Sequence, residues 1–323
     1  MSTFKSAESV SPGHPDKLCD QISDAILDAY LAADPKARVA AEALGGHGKV
    51  VIMGEITSSA TVEVEAIVKR LAGDVEVEVC LVTQSPEIAN GVDTGGAGDQ
   101  GIMVGYACSD TPEYLPLETV LSRRLNQVLY AKWAYDGKTQ VTLKDGILQS
   151  VVASWQNVAG ADLESAVEAW IASEKLAVPS EDIKLHINPA GDWNQGGFEA
   201  DTGLTGRKLV VDNYGPAIPI GGGCFSGKDP SKVDRSAAYM ARKIAVDYLK
   251  KRNAASVYCY LAYAIGYAQP LEATVIVDGV QEEVAGYDLT PNGIIETLQL
   301  RRPVYEQTAR YGHFGHPEFA WEK

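Results

Sequence analysis

The sequence lacks long apolar runs, and none approaches the ~20 residues that a membrane-spanning helix needs. The first residues, Met1 to Lys5, lack the apolar core of a secretory signal. Cysteine is also scarce: the five cysteines show no CxxC spacing, which argues against a zinc site and against a disulfide framework. We therefore expect a globular protein of the reducing cytoplasm that has no membrane partner.

Positive charge is in short supply as well. Lysine and arginine number 28 against 43 aspartates and glutamates, giving a net charge of −15. Binding to a nucleic-acid backbone needs a broad basic footprint, so nucleic acid is not expected as a partner. A phosphate ligand would have to be met by a local cationic cluster. Residues 205–235 contain such a cluster, formed by Arg207, Lys208, Lys228, Lys232 and Arg235.

One order of predicted elements recurs along the 323 residues, which are enough for two or three domains. Hydrophobic periodicity predicts helices over residues 16–33, 61–72, 116–133, 162–174, 230–252 and 291–301. It predicts strands over residues 37–44, 49–58, 75–83, 102–108, 139–144, 147–155, 183–188, 208–212, 256–265 and 272–277. This order indicates three related α+β units of ~100 residues each, with sheets packed on helices.

The glycine-rich segment from Gly221 to Arg235 has the composition of an anion site. Residues 222–228 fit the Walker pattern G-x-x-x-x-G-K, but Asp229 stands where that pattern needs a serine or threonine for Mg²⁺. Asp229 instead predicts a helix N-cap and Pro230 the first helical residue, which places lysines at a helix N-terminus. The alternative is a glycine-rich surface loop that caps an ordinary helix.

A related arrangement stands near the N-terminus. Residues 11–17 (SPGHPDK) align with residues 226–232 (SGKDPSK), since both place small residues before a proline and a lysine that open a long helix. Proline is common at the first helical position, so the similarity also has a purely structural explanation. The functional interpretation predicts two charged helix N-termini that face one polyphosphate.

Six motifs together resemble the methionine adenosyltransferase (S-adenosylmethionine synthetase) family. They are GHPDK at 13–17, GEIT at 54–57, GAGDQG at 96–101, GLTGRK at 203–208, the 221–235 segment, and YGHFG at 311–315. The resemblance runs from residue 6 to residue 323. It implies an α+β subunit of three structurally related domains with a pseudo-threefold internal repeat, divided at about residues 1–88, 89–194 and 195–323.

The resemblance also implies a reaction and an assembly. In this family the methionine sulfur attacks C5′ of ATP and expels tripolyphosphate, which is then hydrolysed to pyrophosphate and phosphate. Two Mg²⁺ per site and K⁺ are the implied cofactors. The implied assembly is a homodimer, or a dimer of such dimers, with active sites between subunits.

The family's functional residues transfer to matching positions of this chain. The catalytic set comprises His14, Asp99, Lys138, Arg207, Lys208, Lys228 and Lys232. The ATP contacts comprise His14, Asp136, Lys138, Trp193, Asp201, Arg207, Lys208, Cys224 and Lys228. The methionine contacts comprise Glu55, Gln84, Asp201, Lys232 and Ile265. The metal ligands comprise Asp16 and Asp234 for Mg²⁺ and Glu42 for K⁺, with Glu8 as a further position. Asp99 also fits an ordinary Asx-type turn, and Ile265 fits a plain core position.

The chain departs from the family pattern at several positions, two of which bear on the site. Asp192 stands where the family carries an arginine beside the nucleotide, and a carboxylate there would repel triphosphate unless it points away or is compensated. The gating loop over residues 84–101 is shorter and rich in glycine, from which we expect better tolerance of bulky S-alkyl analogues.

Two other functions remain open at this point. An ATP-dependent phosphoryl transferase or ligase would use the same cationic cluster and release ADP or AMP. A weakly active relative would bind nucleotide and serve as an assembly partner.

Overall fold

The computed structural model describes residues 3–84, 95–174 and 182–323. The α-helices of this part of the chain are α1 Pro15–Ala33, α2 Val64–Ala72, α3 Leu117–Lys132, α4 Gly160–Ser173, α5 Leu209–Asp212, α6 Val233–Arg252 and α7 Pro291–Leu298. Short 3₁₀ helices cover Gly197–Glu199, Glu306–Ala309 and Ala320–Glu322. Within the described ranges, no helix combines the length and the apolar character needed to cross a bilayer.

The strands of residues 3–84, 95–174 and 182–323 form three four-stranded sheets. They are β1 Phe4–Val10, β2 Arg38–Gly46, β3 Lys49–Thr57, β4 Glu76–Val82, β5 Gly101–Cys108, β6 Gly137–Lys144, β7 Ile147–Trp155, β8 Lys184–Ile187, β9 Gly203–Leu204, β10 Ser256–Tyr263, β11 Glu272–Val277 and β12 Val280–Glu283. Sheet A has the order β1-β6-β7-β8, sheet B the order β4-β3-β2-β9, and sheet C the order β12-β11-β10-β5. The predicted α+β architecture is confirmed.

A cyclic exchange of strands connects the three sheets. Strand β1, from the start of the chain, pairs with the middle hairpin β6-β7, while β5 pairs with the last hairpin β10-β11. Strand β9 returns to pair with β2 of the first hairpin. Each hairpin therefore receives its antiparallel neighbour from another third of the chain, which ties the repeats into one body.

Sheets A and B share one further feature that sheet C lacks. In both, a helix follows the hairpin and leads to a parallel fourth strand, β8 in sheet A and β4 in sheet B. Sheet C ends instead on β12, which pairs antiparallel with β11. The internal repeat is thus confirmed, with one altered edge in the last unit.

Two apolar cores lie between these sheets and their helices. The larger one joins sheets B and C and includes Ile22 and Ile26 of α1 and Met240 and Ile244 of α6. The smaller one lies under sheet A and is centred on Trp155, Leu125 and Trp170. Helices α1 and α6 are therefore fixed along their whole length, and their N-termini are rigid points of the fold.

The region that precedes α6 corrects two predictions. The strand predicted over residues 208–212 is the helix α5, because the Arg123 guanidinium binds the carbonyl oxygens of Val211 and Asn213 at 2.9 and 2.6 Å and holds the segment compact. Helix α6 begins at Val233 rather than at Pro230.

Asp229 is also not the N-cap of α6. Its carboxylate accepts hydrogen bonds from the backbone N–H groups of Val39 and Ser231 at 2.7 and 2.8 Å, so it fastens the turn to β2, and Lys232 occupies the cap position. All five cysteines are free thiols, as expected.

Candidate active site

The N-terminus of α1 presents a neutral histidine. His14 occupies the N-cap, and its Nδ1 accepts a hydrogen bond from the Asp16 N–H at 3.1 Å. Burial, together with the positive charges of Lys208 and Lys138, lowers the pKa of His14 to about 3. Because Nδ1 is the acceptor, the proton of the neutral ring lies on Nε2, which leaves that atom as a hydrogen-bond donor.

Asp16, two residues further, connects α1 to the segment that carries two predicted phosphate ligands. Its carboxylate accepts from the Leu204 N–H at 3.0 Å, is bound by Lys208 Nζ, and lies 3.5 Å from Arg207 Nε. Burial alone would raise the pKa of Asp16, but the hydrogen bonds from Lys208 and Leu204 outweigh it and hold that pKa below its ordinary value. The carboxylate is therefore ionised and buried among cations.

Asp136 and Trp193 belong to the same group. The Asp136 carboxylate accepts from the Gly197 N–H at 3.0 Å, and its own N–H donates to the Gln156 side chain at 3.2 Å. Gly196 packs against both that side chain and the Trp193 ring. Burial raises the pKa of Asp136 above its ordinary value.

Lys138 and Asp201 belong to the same group of residues, which we call the first group, because their charges act on its members. Both act on the charge state of His14, and both act on that of Asp136, so they lie close to these two residues. The structure thus brings together seven predicted site residues with Trp193 beside them. The seven are His14, Asp16, Asp136, Lys138, Asp201, Arg207 and Lys208.

A second group lies at the start of α6. Lys228 Nζ donates to Asp234 Oδ2 at 2.6 Å, and both side chains are about one-fifth exposed. A Cβ on Gly223 would come within 2.2 Å of the Asp234 Cγ, so only glycine lets the chain pass this carboxylate so closely. Burial opposes the charge of Lys228, but Cys224 and Asp234 raise its pKa above the ordinary value, so the ammonium stays charged.

Cys224 and Glu42 lie beside this pair. Both act on the charge state of Lys228, and burial raises the pKa of the Cys224 thiol. Cys224 also packs against Gly206, whose Cβ would come within 2.7 Å of the Cys224 Cβ. Since Gly206 immediately precedes Arg207, this contact joins the second group to the first.

Lys232 and Arg235, two cations of the predicted cluster, differ in their partners and in their exposure. Lys232 Nζ binds the Asp229 carboxylate and remains partly exposed. Arg235 is fully buried and forms a two-point ion pair with Asp24 at 2.6 and 2.9 Å. The expectation that Arg235 faces a phosphate is therefore wrong, because its guanidinium is occupied inside the fold.

The other predicted residues to be placed are Glu8, Asp99 and Ile265. Glu8 lies on β1 of sheet A. Asp99 is exposed, and its carboxylate accepts a hydrogen bond from the N–H of the next residue, Gln100, at 2.7 Å, whereas an Asx-type turn would bond the N–H two residues on. Ile265 is 54% exposed in the connection between β10 and β11, which contradicts the alternative of a core position.

On the predicted methionine side, Glu55 lies on the outward face of β3, with no ion-pair partner among the residues that the structure describes. The Gln84 Oε1 atom is buried without a hydrogen-bond partner in the same part of the chain. Residues 85–94 of the predicted gating loop lie outside the described residues. Among the described residues, the buried Oε1 of Gln84 is therefore an acceptor without a donor.

The Asp192 side chain is held by neighbouring residues of the fold. Its carboxylate accepts from the Asn188 side-chain amide at 2.9 Å and lies next to Gly160, the first residue of α4. A helix N-terminus favours a carboxylate. The charge reversal at this position is therefore met by Asn188 and α4.

Sequence reasoning missed the roles of three buried residues of α1: Asp20 and Asp24 were not singled out, and Lys17 was expected at a charged helix N-terminus that faces a polyphosphate. Lys17 is enclosed between Asp20 and Asp212 at 2.9 and 2.6 Å, and these two carboxylates raise its pKa above the ordinary value despite burial. Asp24 binds Arg235, as described above. The signal was present in the printed sequence, because Asp16, Asp20, Asp24 and Asp28 recur every four residues and so share one face of α1.

In the described ranges, no three His, Cys, Asp or Glu side chains cluster as a metal site. Asp16 and Asp234 nevertheless offer hard oxygen donors next to lysines, which is the donor chemistry that Mg²⁺ prefers when it is shared with phosphates. The fold and site together define an α+β protein of three exchanged sheets, with cationic groups gathered at the N-termini of its two central helices.

Comparison with known proteins agrees along the whole chain. Three family models match: the S-adenosylmethionine synthetase N-terminal domain over residues 2–91, the central domain over residues 94–193 and the C-terminal domain over residues 195–323. The S-adenosylmethionine synthase of Salinispora arenicola is 43% identical, with 98% of this chain and 95% of that protein covered.

Two further relatives give the same result. S-adenosylmethionine synthase 1 of Frankia casuarinae is 43% identical over the same shares of both chains. The S-adenosylmethionine synthase of Treponema denticola is 41% identical, with 99% of this chain and 95% of that protein covered. The chain belongs to the S-adenosylmethionine synthetase family. Its alignment with the Salinispora protein spans 378 positions, more than its own 323 residues, so this chain is shortened internally.

Proposed function

We propose that this protein makes S-adenosylmethionine from ATP and L-methionine. In the proposed reaction the methionine sulfur attacks C5′ of ATP, the C5′–O bond breaks, and tripolyphosphate leaves with the bonding electrons. The enzyme then hydrolyses tripolyphosphate to pyrophosphate and phosphate. The observation that carries this proposal is the presence of two lysine–carboxylate pairs, Lys208–Asp16 and Lys228–Asp234, near the heads of α1 and α6.

The lysine–carboxylate pairs suit a leaving group that gains negative charge as it departs. Fixed cations stabilise such charge without reorganising during the reaction. In the free protein the two lysines neutralise carboxylates, and we expect them to turn to the triphosphate when ATP binds. The further cations proposed for this role are Lys138, Arg207 and Lys232.

His14 is proposed to act on the departing oxygen as a neutral hydrogen-bond donor. Its lowered pKa keeps the ring uncharged at physiological pH, and the donor capacity of Nε2 follows from the hydrogen bond at Nδ1. For the nucleotide, we propose that Trp193 stacks on adenine and that Asp136, Asp201 and Cys224 line the site.

Asp16 and Asp234 are proposed to hold two Mg²⁺ ions together with the substrate phosphates, and Glu42 to hold K⁺. When bound, Mg²⁺ would neutralise phosphate charge. Glu42 lies close to Lys228, which supports its placement at the site. Glu8 and Asp99 remain predictions.

For methionine, we propose that Glu55 and Asp201 meet the ammonium group and that Gln84 and Ile265 contact the rest of the molecule. Within the described ranges the Glu55 carboxylate has no ion-pair partner and the buried Gln84 Oε1 has no hydrogen-bond partner, which supports this placement. Lys232 is proposed to interact with the carboxylate of methionine.

The proposed assembly is a homodimer that buries the outward face of sheet B. This face lies opposite α1 and carries Leu44, Met53 and Val82, which are 45, 58 and 62% exposed. Glu42 and Glu55 lie on the same face. A second copy would cover this apolar surface and also place its own residues next to the two glutamates, which agrees with an active site shared between subunits.

The experiment that tests the function is mass spectrometry of the products formed from ATP, methionine, Mg²⁺ and K⁺. We expect S-adenosylmethionine, pyrophosphate and phosphate, without ADP or AMP. Release of ADP or AMP would support the phosphoryl transferase or ligase, and absence of turnover would support the weakly active relative. The Asp16→Asn variant should lose most of the activity, and full activity in that variant would contradict the site.

A further inference from the structure

Helix α1 carries three carboxylates that each fasten one turn of the site. Asp16 accepts from the Leu204 N–H at 3.0 Å, Asp20 from the Gly206 N–H at 2.8 Å, and Asp24 from the Gly227 N–H at 2.9 Å. All three are buried, and their four-residue spacing places them on one face of the helix. We refer to Asp16, Asp20 and Asp24 as the aspartate ladder.

Each carboxylate of the ladder has its own cation. Lys208 binds Asp16, Lys17 binds Asp20 at 2.9 Å, and Arg235 binds Asp24 at 2.6 and 2.9 Å. A buried carboxylate is costly unless it is paired and hydrogen-bonded. Apart from Lys17, the residues that meet these conditions come from distant parts of the chain, so the geometry of the ladder is strongly determined.

Asp24 and Arg235 hold the turn at Gly227 from two sides. Arg235 Nη1 donates to the carbonyl oxygen of Lys228 at 3.2 Å, while Asp24 accepts from the Gly227 N–H. Gly227 also packs directly against β2. It has a left-handed conformation (φ +81°), and a Cβ at this position would come within 2.0 Å of the Ala41 carbonyl oxygen. The backbone at Lys228 is therefore fixed, and with it the reach of the Lys228 ammonium.

We propose that Asp24 is a positioning residue that sets Lys228 for binding the polyphosphate, and that Asp20 does the same for the turn before Arg207 and Lys208. This proposal rests on the proposed function, in which Lys228 meets the triphosphate. Asp24 itself reaches no substrate, since its two oxygens are occupied by Gly227 and Arg235 inside the fold.

The chain offers a closely matched control. Glu322 is also a buried carboxylate that binds a fully buried arginine of α6, Arg242, and it also accepts from a glycine N–H, that of Gly315 at 2.8 Å. The two ion pairs thus share their chemistry, burial and helix. They differ in their surroundings, because Glu322 holds the C-terminal 3₁₀ helix and Asp24 holds the turn of Lys228.

The test compares Asp24→Asn with Glu322→Gln in the full-length protein. Calorimetry with inorganic tripolyphosphate and Mg²⁺ measures binding, and steady-state kinetics measure kcat and KM for ATP. We expect Asp24→Asn to weaken tripolyphosphate binding by about tenfold or more, because small displacements of a fixed charge are costly in a pre-organised site. Glu322→Gln should lower thermal stability to a similar degree while leaving the affinity for tripolyphosphate nearly unchanged.

A double-variant comparison separates positioning from general stabilisation. If Asp24 acts through Lys228, Asp24→Asn should weaken tripolyphosphate binding little further once Lys228→Ala is present, since coupled residues are not additive. The proposal is overturned if the double variant loses tripolyphosphate affinity by the product of the two single-variant losses. It is also overturned if Glu322→Gln loses as much tripolyphosphate affinity as Asp24→Asn. If Asp24→Asn does not fold, the neutral pair Asp24→Asn/Arg235→Gln replaces it, matched by Glu322→Gln/Arg242→Gln.

The same data distinguish this proposal from the proposed function. Wild-type affinity for tripolyphosphate in Lys228→Ala would show that Lys228 does not meet the polyphosphate, and the proposed role of the cation would fail. A large loss in Lys228→Ala with no loss in Asp24→Asn would leave the proposed function standing and reject only the positioning role.

Discussion

Lys228 and Asp234 form a 2.6 Å ion pair across the turn that leads into α6, with the lysine ammonium at the end of the glycine-rich segment. The aspartate lies in the first turn of the helix, where the dipole favours a carboxylate. This pair shows why the near-match to a Walker loop is misleading. Asp229, at the position of the Walker hydroxyl, holds β2, and the carboxylate proposed for metal binding comes five residues later.

Removal of the Lys228 ammonium should impair catalysis far more than folding. We expect Lys228→Ala to reduce kcat/KM for S-adenosylmethionine formation by about 10²–10³-fold, the usual loss for one fixed group that stabilises developing charge. The control is Lys69→Ala, since Lys69 is exposed on α2 and pairs with Glu65 on the same helix. Rates are measured by product chromatography, and a loss below tenfold in Lys228→Ala would contradict the assignment.

The neutral state of His14 predicts a pH dependence of stability. Its pKa is about 3 in the folded protein against the ordinary 6.5. Between these values the unfolded chain binds a proton that the folded chain does not. The stability present above pH 6.5 is therefore lost as the pH falls toward 3, at a rate on the order of 1.4 kcal/mol per pH unit from this residue.

Urea unfolding of wild type and His14→Gln at pH 7, 6, 5 and 4 measures this effect. His14→Gln lacks this titration. As the pH falls, wild type should therefore lose more unfolding free energy than His14→Gln does, and the advantage of wild type over the variant should shrink. A difference that stays constant over this range would mean that His14 titrates normally in the folded state.

Two glycines of the same segment should respond differently to alanine. Gly227 has φ +81° and no room for a Cβ, so Gly227→Ala should cost more than about 1 kcal/mol of unfolding free energy. A Cβ on Gly222 would meet nothing within 4 Å, so Gly222→Ala should stay within about 0.5 kcal/mol of wild type. Chemical denaturation measures both, and similar losses would contradict the strained turn at Gly227.

The outward face of sheet B should determine the oligomeric state. Met53→Lys places a charge in the middle of this face and should shift the protein from the proposed dimer to a monomer, with loss of turnover. Val280→Lys is the control, because Val280 is 70% exposed at the edge of sheet C. Light scattering and activity are measured together. A fully dimeric, active Met53→Lys protein would exclude this face as the interface.

Local patterns predicted most elements well. Helix α1 was predicted over residues 16–33 and covers Pro15–Ala33, because its apolar residues recur at helical spacing and a proline opens it. Strands β2 and β3 were predicted over residues 37–44 and 49–58 from their strand-like runs, and they cover Arg38–Gly46 and Lys49–Thr57. Strand β1 was not predicted, because its seven residues, FKSAESV, are mostly polar, and β9 has only two residues.

The cyclic exchange of strands was beyond local reasoning. The pairing of β1 with β6 joins residues such as Ala7 and Val141, and nothing in either segment specifies the other. The same holds for the cations. Arg235 and Lys228 are both cations of the same sequence segment. In the fold, Arg235 is fully buried and paired with Asp24, whereas Lys228 is partly exposed and paired with Asp234.

The sequence by itself determined the family, the three-unit α+β plan and the residue types of a polyphosphate site, because these follow from motifs and local periodicity. Only the tertiary structure decided what the acidic face of α1 does. A stripe of aspartates opposite Ile22 and Ile26 predicts a solvated face. The fold instead packs residues 204–206 and 227–235 against this face. Their N–H groups and cations replace the hydrogen bonds that water would otherwise make to the carboxylates.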